Sequence, residues 1–258
     1  MYFNYHTHTH RCNHAAPDER EYIENAIKAG IKVLGFSDHS PYFFEGDYYS
    51  NFRMRPARIY DYFDTLSELK EEYKYSIDIK IGFETEYYPA FFQKVLEFYK
   101  DFPVEYMILG QHFVDNEMGA HYSGRPTAKR AILEKYVNQV MEGMDTGLYT
   151  YVAHPDLLRF IGDDDIYIEE YSKLCRKSVE TGIPLELNFL GLKEGRHYPD
   201  DMFWEIAGKM KCPVVFGVDA HNPQALNDPE TLASAMQMCE KYKLNLQETL
   251  ELVPVKSF

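Results

Sequence analysis

The feature that most constrains the fold is a repeated alternation of short β-rich runs with longer segments of helical period. Seven runs rich in β-branched and aromatic residues are expected to form strands, at residues 2–6, 32–37, 78–84, 105–112, 150–154, 184–188 and 213–218. Amphipathic segments predict helices at residues 18–29, 57–75, 127–146, 166–181, 200–209 and 228–242. This strand–helix–strand order predicts a parallel sheet with right-handed crossovers.

Seven such units in 258 residues favour a closed, incomplete barrel over an open sheet. The sequence contains no repeat, low-complexity tract or linker that would divide it. We therefore predict an α/β fold, a distorted (β/α)7 barrel that forms one domain over residues 1–258; a doubly wound open sheet is the structural alternative. Residues 40–52 are aromatic but lack helical period, and we expect an inserted lid that forms part of a substrate pocket.

Charge and composition limit the classes of function. The formal net charge is −14, with 41 acidic residues against 27 Lys plus Arg, which disfavours broad nucleic-acid binding. No run approaches the roughly eighteen uncharged apolar residues of a membrane helix. The four cysteines are scattered, with no CxxC pair, and are expected to be reduced thiols. Because the first residues also lack the pattern of a signal peptide, we predict a cytoplasmic location.

Histidines and acids recur at the C-terminal ends of the predicted strands. They occur at six of the seven ends and are His6, His8, His14, His39, Glu84, His112, His154, Asp219 and His221. In a parallel barrel these ends open on one face, where catalytic groups gather. Such crowding would be costly in repulsion and desolvation unless cations lay within it. Imidazole and carboxylate are suitable ligands for zinc, manganese or iron, so we predict a metal site at this face.

Each of these residues, taken alone, has an ordinary structural explanation. A single histidine is more often a surface or hydrogen-bonded core residue, and Glu84 and Glu86 could be edge charges. The recurrence at six strand ends makes this explanation much weaker for the set. His10 and His121 fall outside the pattern and are expected to be structural, whereas His197 lies in a predicted loop on the site face and could contact substrate.

Seven segments of the chain resemble the motifs of the polymerase-and-histidinol-phosphatase (PHP) superfamily, most of all its monofunctional histidinol-phosphate phosphatases. They are YHTHTHRCNHA, GFSDHSP, GFETEYY, GQHF, AHPDLLRF, LELNFLGLKEG and GVDAHNP, in the family's order from residue 5 to residue 223. Asn4 and His10 stand where relatives often have an acid and a proline, and GQHF replaces a commoner serine-bearing form. The resemblance implies a distorted seven-stranded barrel.

The resemblance also implies up to three divalent cations of zinc, manganese or iron. One would be held by His6, His8, Glu84 and Asp219; a second would share Glu84 and add His112 and His154; a third would take His14, His39 and His221.

The expected chemistry is hydrolysis of a small phosphate monoester by a metal-bridging hydroxide. Two cations that share Glu84 should lie about 3.5–4 Å apart, and a water between them would ionise near neutral pH. Glu84 and Asp219 would thereby be catalytic, and a protonated His39 or a metal-held water could protonate the leaving alkoxide. Arg159 and Arg196 are candidates to bind the phosphate, because a planar guanidinium meets phosphate oxygens at two points.

The predicted substrate is L-histidinol phosphate, which would place the protein in histidine biosynthesis. The alternative is a PHP phosphoesterase acting on a nucleotide, a sugar phosphate or phosphotyrosine, because the metal motifs do not identify the organic group. An amidohydrolase barrel is disfavoured since that group usually has eight strands and a modified lysine as bridge. A non-enzymatic metal store is disfavoured as well. It would need closed, fully ligated sites, whereas each proposed set has only three or four protein ligands and leaves positions open for water. The sequence leaves the native metal and the oligomeric state open.

Overall fold

The structure, a computed structural model, describes residues 1–255 and is built on two parallel sheets. The first sheet contains β1 (Phe3–Asn4), β2 (Val33–His39), β3 (Asp78–Glu84) and β4 (Tyr106–Ile108). An antiparallel pair follows, β5 (Phe113–Val114) and β6 (His121–Tyr122). The second parallel sheet contains β7 (Leu185–Asn188), β8 (Pro213–Gly217) and β9 (Asn245–Leu246).

Isolated bridges join the two parallel sheets into a ring. On one side Val152 pairs with Leu109, just past β4, and with Leu185 of β7. On the other side Thr7, past β1, pairs with Ala220, past β8. Val152 thus takes the place of a regular strand at residues 150–154, between β4 and β7. The predicted distorted (β/α)7 barrel is confirmed, with its fifth strand reduced to a bridge.

Eight α-helices lie in the described part of the chain. They are α1 (Glu19–Lys28), α2 (Ile59–Tyr73), α3 (Pro89–Tyr99), α4 (Arg130–Asp145), α5 (Asp164–Thr181), α6 (Phe189–Glu194), α7 (Asp201–Met210) and α8 (Pro229–Tyr242). Six of them match the predicted helices to within three residues at each end, whereas α3 and α6 were not predicted. None of the helices in residues 1–255 combines the length and the apolar character that a bilayer crossing requires.

Local sequence explains where several helices begin and end. Asp163, Asp200 and Asp228 are the N-cap residues of α5, α7 and α8, and each carboxylate accepts hydrogen bonds from backbone N–H groups of the first turn. Gly182 follows α5 with φ of 72°, a left-handed conformation that glycine adopts without Cβ strain.

The aromatic segment at residues 40–52 is a loop, as predicted, but it is firmly anchored. Tyr42 is buried, and its hydroxyl donates a hydrogen bond to the backbone carbonyl of Glu86. The next residue after the loop, Arg53, is fully buried and donates hydrogen bonds to Ser50 Oγ and to the carbonyl of Ser40. Since residues near both ends of the loop are bonded to one buried guanidinium, the loop is anchored and is not a free lid.

Candidate metal centre

The parallel strands carry the predicted ligands to one mouth of the ring. His6, His8 and His14 follow β1, His39 ends β2, Glu84 ends β3, His112 follows β4, His154 follows the Val152 bridge, and Asp219 and His221 follow β8. The register of β2 with β3 pairs His39 directly with Glu84. The structure therefore brings all nine predicted metal ligands into one cluster.

Glu84 lies at the centre of this cluster and is fully buried. Five imidazoles approach its carboxylate. The separations are 2.8 Å from Oε1 to His154 Nε2, 3.5 Å from Oε1 to His112 Nε2, 2.8 Å from Oε2 to His39 Nδ1, and 3.6 and 3.7 Å from Oε2 to Nε2 of His6 and His8. A carboxylate with ring nitrogens on both oxygens is placed to bridge two cations.

Asp219 forms a second focus beside Glu84. Its Oδ1 lies 3.2 Å from His8 Nε2 and 3.4 Å from His6 Nε2, so the two carboxylates share these histidines. Asp219 has φ of 53° and His154 has φ of 29°, which are left-handed conformations for non-glycine residues. Such backbone strain persists only where the surroundings hold it, and it clusters at functional sites.

The outer part of the cluster contains His14, His39 and His221, whose donor atoms lie within 4.8 Å of one another. This group coincides with the predicted third set. Backbone carbonyls orient two of its members: His14 Nδ1 donates to the carbonyl of Cys12 at 2.8 Å, and His221 Nδ1 donates to that of Asp219 at 3.0 Å. Each Nε2 is thereby left with its lone pair free for a cation.

Further groups have donor atoms within the same distance, and they include His6–His8–Asp219 and His6–Glu84–His154. These two groups correspond in part to the predicted first and second sets, since Glu84 is near the first and His112 is near the second. His6 belongs to both groups.

Electrostatics keep the two central carboxyl groups ionised. Burial would raise the pKa of Glu84, but His112 and His6, whose own pKa values are raised, outweigh it and hold the pKa of Glu84 well below its usual range. Burial likewise opposes ionisation of Asp219, yet His6 and His8 keep its pKa well below 3.8. Both groups therefore offer negative oxygens at neutral pH.

Several imidazoles of the cluster are held neutral. Burial lowers the pKa of His221 to about 3, and His8 contributes in the same direction. Burial also lowers the pKa of His39 well below 6.5. Neutral rings such as these can donate lone pairs to a cation. The neighbouring carboxylates instead raise the pKa of His6, of His112 and, to about 9, of His8, so these three rings would release a proton when a cation binds. The role of His39 as general acid stays a prediction.

The residues fit divalent cations. Six ring nitrogens of the proposed ligands are buried and make no well-formed hydrogen bond: His6 Nε2, His8 Nδ1, His8 Nε2, His39 Nδ1, His154 Nδ1 and His221 Nε2. A buried polar atom without a partner costs about 1–3 kcal/mol, so such a concentration is explained if cations take the lone pairs. Nitrogen and carboxylate oxygen donors suit zinc, manganese or iron.

A cavity of about 400 Å³ opens on the cluster. Beyond the histidines, its lining includes Phe52, Phe113, Tyr122, Leu157, Leu190, Glu194, Arg196 and Tyr198. Arg196 Nη1 donates to the hydroxyl of Tyr198 at 2.7 Å, and Nη2 lies 2.7 Å from a Glu194 oxygen. The mouth of the barrel thus combines a polar, cation-binding floor with an aromatic wall and one guanidinium.

A match to the PHP domain covers residues 4–189 of the chain. The chain belongs to the PHP domain family. It is similar to the histidinol-phosphatase of Bacillus subtilis (strain 168), with 27% identity over 246 residues, which cover 84% of this chain and 92% of that protein. It is also similar to a probable histidinol-phosphatase of Deinococcus radiodurans, with 28% identity over 232 residues, 84% of this chain and 85% of that protein.

Among solved structures, this PHP domain protein is similar to the histidinol phosphate phosphatase of Lactococcus lactis subsp. lactis Il1403, which was crystallised with Zn, L-histidinol and phosphate. The TM-score is 0.73 with 20% sequence identity, and the superposition covers 97% of each chain. At this identity the likeness shows the fold, and it agrees with the closed ring described above.

The three residues predicted to bind the substrate differ in their position relative to the cavity. Arg196 lines the cavity, whereas Arg159 and His197 are not among its lining residues. His197 Nε2 donates to the carbonyl of Leu157 at 2.8 Å. The roles of Arg159 and His197 in substrate binding stay predictions without support from the cavity. Outside the cluster, His121 Nε2 donates to the carbonyl of Arg125, in keeping with its expected structural role.

Sequence reasoning did not identify two buried carboxylates that contact proposed ligands. Glu86, for which an edge charge was the ordinary alternative, is fully buried, accepts a hydrogen bond from His112 Nδ1 at 2.9 Å and pairs with Arg53 at 2.8 Å. Glu186 was not singled out at all and is also fully buried, in β7. The available signal for Glu186 was its position inside an apolar strand, because a charged residue is almost never buried unless it is paired.

Proposed function

We propose that this chain is a metal-dependent phosphatase that hydrolyses L-histidinol phosphate to L-histidinol and phosphate. The observation that carries the proposal is the buried Glu84, ringed by five imidazoles, three of which, those of His39, His112 and His154, line a cavity of about 400 Å³. The relatives named histidinol-phosphatase, which match 84% of the chain, support the choice of substrate.

The proposed cofactors are up to three divalent cations of zinc, manganese or iron. The assigned ligands are His6, His8, Glu84 and Asp219 for one, Glu84, His112 and His154 for a second, and His14, His39 and His221 for a third. When bound, such cations neutralise phosphate charge and lower the pKa of water. Glu84 and Asp219 contribute because they stay ionised in the buried site, and each imidazole contributes a lone pair in its unprotonated form.

Arg196 orients the phosphate in this proposal. Its contacts with Glu194 and Tyr198 use three of the five guanidinium N–H donors, through Nε, Nη2 and Nη1. Two donors are left for phosphate oxygens at the cavity wall. Glu194 and Tyr198 also hold the guanidinium in place, which reduces the entropy lost when the substrate binds.

The cavity suits a small monoester with an aromatic group. Its volume lies within the usual range for small-molecule sites, and Phe52, Phe113 and Tyr122 contribute ring faces to the lining. The imidazole of histidinol can pack against such rings. The partner is therefore a small phosphate ester; nucleic acid is disfavoured by the charge of −14. The cytoplasmic location and the single-domain organisation stay predictions, and the four cysteines are free thiols.

The test is a substrate panel measured on protein reconstituted separately with zinc, manganese and iron. Phosphate release is followed for L-histidinol phosphate, phosphotyrosine, a nucleoside monophosphate and a sugar phosphate. We expect the highest kcat/KM for L-histidinol phosphate, and we expect the Glu84→Ala variant to lose turnover because both inner groups lose their shared ligand. A higher kcat/KM for another ester would overturn the substrate assignment. If the fully metal-loaded protein released no phosphate from any ester, the phosphatase assignment itself would fail.

A further inference from the structure

Glu186 is a charged residue inside a buried strand. It lies in β7 between Leu185 and Leu187, and all four residues of that strand are buried. Its carboxylate is fully buried and has no Lys or Arg partner among the described residues. An ionised carboxylate in such a place must be stabilised by hydrogen bonds.

Three donors meet this carboxylate, two of them from proposed ligand residues. Oε1 accepts a hydrogen bond from His6 Nδ1 at 2.8 Å. Oε2 accepts from the backbone N–H of His154 at 3.0 Å and from Asn188 Nδ2 at 2.9 Å. The same Asn188 nitrogen lies 3.2 Å from Asp219 Oδ2. One buried side chain therefore connects residues that follow β1, the Val152 bridge and β8.

The bond to His6 determines which ring nitrogen faces the cluster. With Nδ1–H donated to Glu186, the Nε2 lone pair points towards Glu84 and Asp219, whose oxygens lie 3.6 and 3.4 Å away. Nε2 makes no hydrogen bond of its own. Since His6 belongs to both inner groups of donors, its orientation affects both.

The bond to His154 acts on the backbone. His154 has φ of 29°, which is unfavourable for a residue with a Cβ. The Glu186 carboxylate satisfies the N–H of this strained residue and so stabilises the conformation that directs Nε2 to Glu84, 2.8 Å away.

The neighbouring strand leaves room for Glu186. Gly217 of β8 is paired with Asn188 in the register, and a Cβ at Gly217 would lie only 1.7 Å from Glu186 Oε1. The carboxylate fits because this position has no side chain.

We propose that Glu186 is a positioning residue for the metal centre, which sets the tautomer of His6 and holds the strained backbone of His154. This inference rests on the proposed function, because it takes His6 and His154 to be metal ligands. Carboxylates that orient ligating histidines typically contribute 10–100-fold to metal affinity.

Glu186→Gln tests the tautomer directly. Because Oε2 accepts from two donors, one of them a backbone N–H, the amide oxygen should occupy that position and the amide NH2 should face His6. His6 Nδ1 must then accept, so the proton moves to Nε2, where it can be donated to Asp219. We expect zinc to bind about 10–100-fold more weakly at the two groups that contain His6. The group of His14, His39 and His221 should keep its affinity.

The measurement is zinc stoichiometry by mass spectrometry together with competition against a chromophoric chelator, on the full chain, without any activity assay. The matched control is Glu68→Gln, the same change on the exposed face of α2. Circular dichroism of the metal-free proteins reports whether the variants fold. If Glu186→Gln does not fold, Glu186→Asp retains the charge but retracts the carboxylate by one methylene, and the same selective weakening is expected.

Selective weakening of the inner groups with a normal outer group supports the proposal. Wild-type affinity in a folded variant overturns it, and so does equal weakening of all groups, which is what a purely structural role would give. A wild-type protein that binds no zinc would instead overturn the proposed function, so the two failures are distinguishable.

Discussion

Gly110 offers a way to displace the central carboxylate without altering any proposed ligand. It lies between Leu109 and Gln111, two residues before His112, at the mouth of the barrel. A Cβ at this position would lie 1.9 Å from Glu84 Oε1, 2.6 Å from its Cδ and 2.7 Å from its Cγ. The absence of a side chain at Gly110 is therefore a condition for the observed position of Glu84.

The size of the effect of Gly110→Ala follows from these distances. Oε1 must move from 1.9 Å to at least 3.0 Å, a retreat of about 1.1 Å, before the contact becomes tolerable. Glu84 is fully buried, with His154 Nε2 only 2.8 Å from the same oxygen, so the movement must disturb the ligand geometry. Overpacking of this kind costs about 1–3 kcal/mol of stability. Misplacement of reacting groups by about 1 Å can cost roughly 100-fold in rate.

The assay is kcat/KM for L-histidinol phosphate and zinc content, measured on wild type and on Gly110→Ala at equal zinc concentration. We expect a drop of about 100-fold in kcat/KM together with reduced zinc content. Gly119→Ala is the control, because its φ of 74° imposes strain while a Cβ there meets nothing within 4 Å. It should lose stability and keep activity. A folded Gly110→Ala protein with wild-type zinc content and kcat/KM would refute the packing argument.

Three further predictions concern the substrate, the metals and the fold. Arg196→Ala should raise the KM for L-histidinol phosphate about tenfold or more, as expected for a lost charge-assisted hydrogen bond. If Arg159→Ala raised KM more than Arg196→Ala in the same assay, the assignment of Arg196 as the phosphate-binding residue would be wrong. Chelation with EDTA should lower the thermal midpoint, and zinc at about 100 times its Kd should restore about 2.7 kcal/mol per site; calorimetry showing no shift would contradict the metal assignment. Asp228→Ala should cost about 1 kcal/mol at pH 7 through loss of the α8 cap. Burial opposes ionisation of Asp228, but Lys193 and the first turn of α8 hold its pKa below 3.8. This stabilisation should therefore disappear as the pH falls through that lowered pKa. Urea unfolding would contradict the prediction if wild type and Asp228→Ala differed by the same free energy of unfolding at pH 7 and at pH 3.

The order and position of the main elements could be predicted because local pattern and topology agree. Strand β3 has the predicted bounds, residues 78–84, and the parallel arrangement alone forces the residues after each strand to one mouth. The fifth strand could not be predicted correctly, since whether residues 150–154 form a ladder or one bridge depends on their neighbours. Helix α3 was missed although Phe91, Phe92, Val95 and Tyr99 recur at helical spacing after a proline at its first position.

Side-chain direction in loops was the main obstacle for the site. Arg159 lies five residues from His154 in sequence, yet it does not line the cavity, whereas Arg196 reaches it from a distant loop. Sequence spacing fixes direction in a helix or a strand but not in an irregular segment. Glu186 shows the opposite case: its burial follows from the strand, but its partners depend on the closure of the ring.

The seams of the barrel give the cations a structural consequence as well as a chemical one. Where β1 meets β8, the ring is held by two backbone hydrogen bonds, from His8 N to Ala220 O at 2.9 Å and from Ala220 N to His6 O at 3.2 Å. A cation bound by His6, His8 and Asp219 would connect the residues on both sides of this seam. In metal-free protein the amide hydrogens of His8 and Ala220 should then exchange faster than those inside β2 and β3. Metal binding and stable closure of the barrel would therefore be coupled.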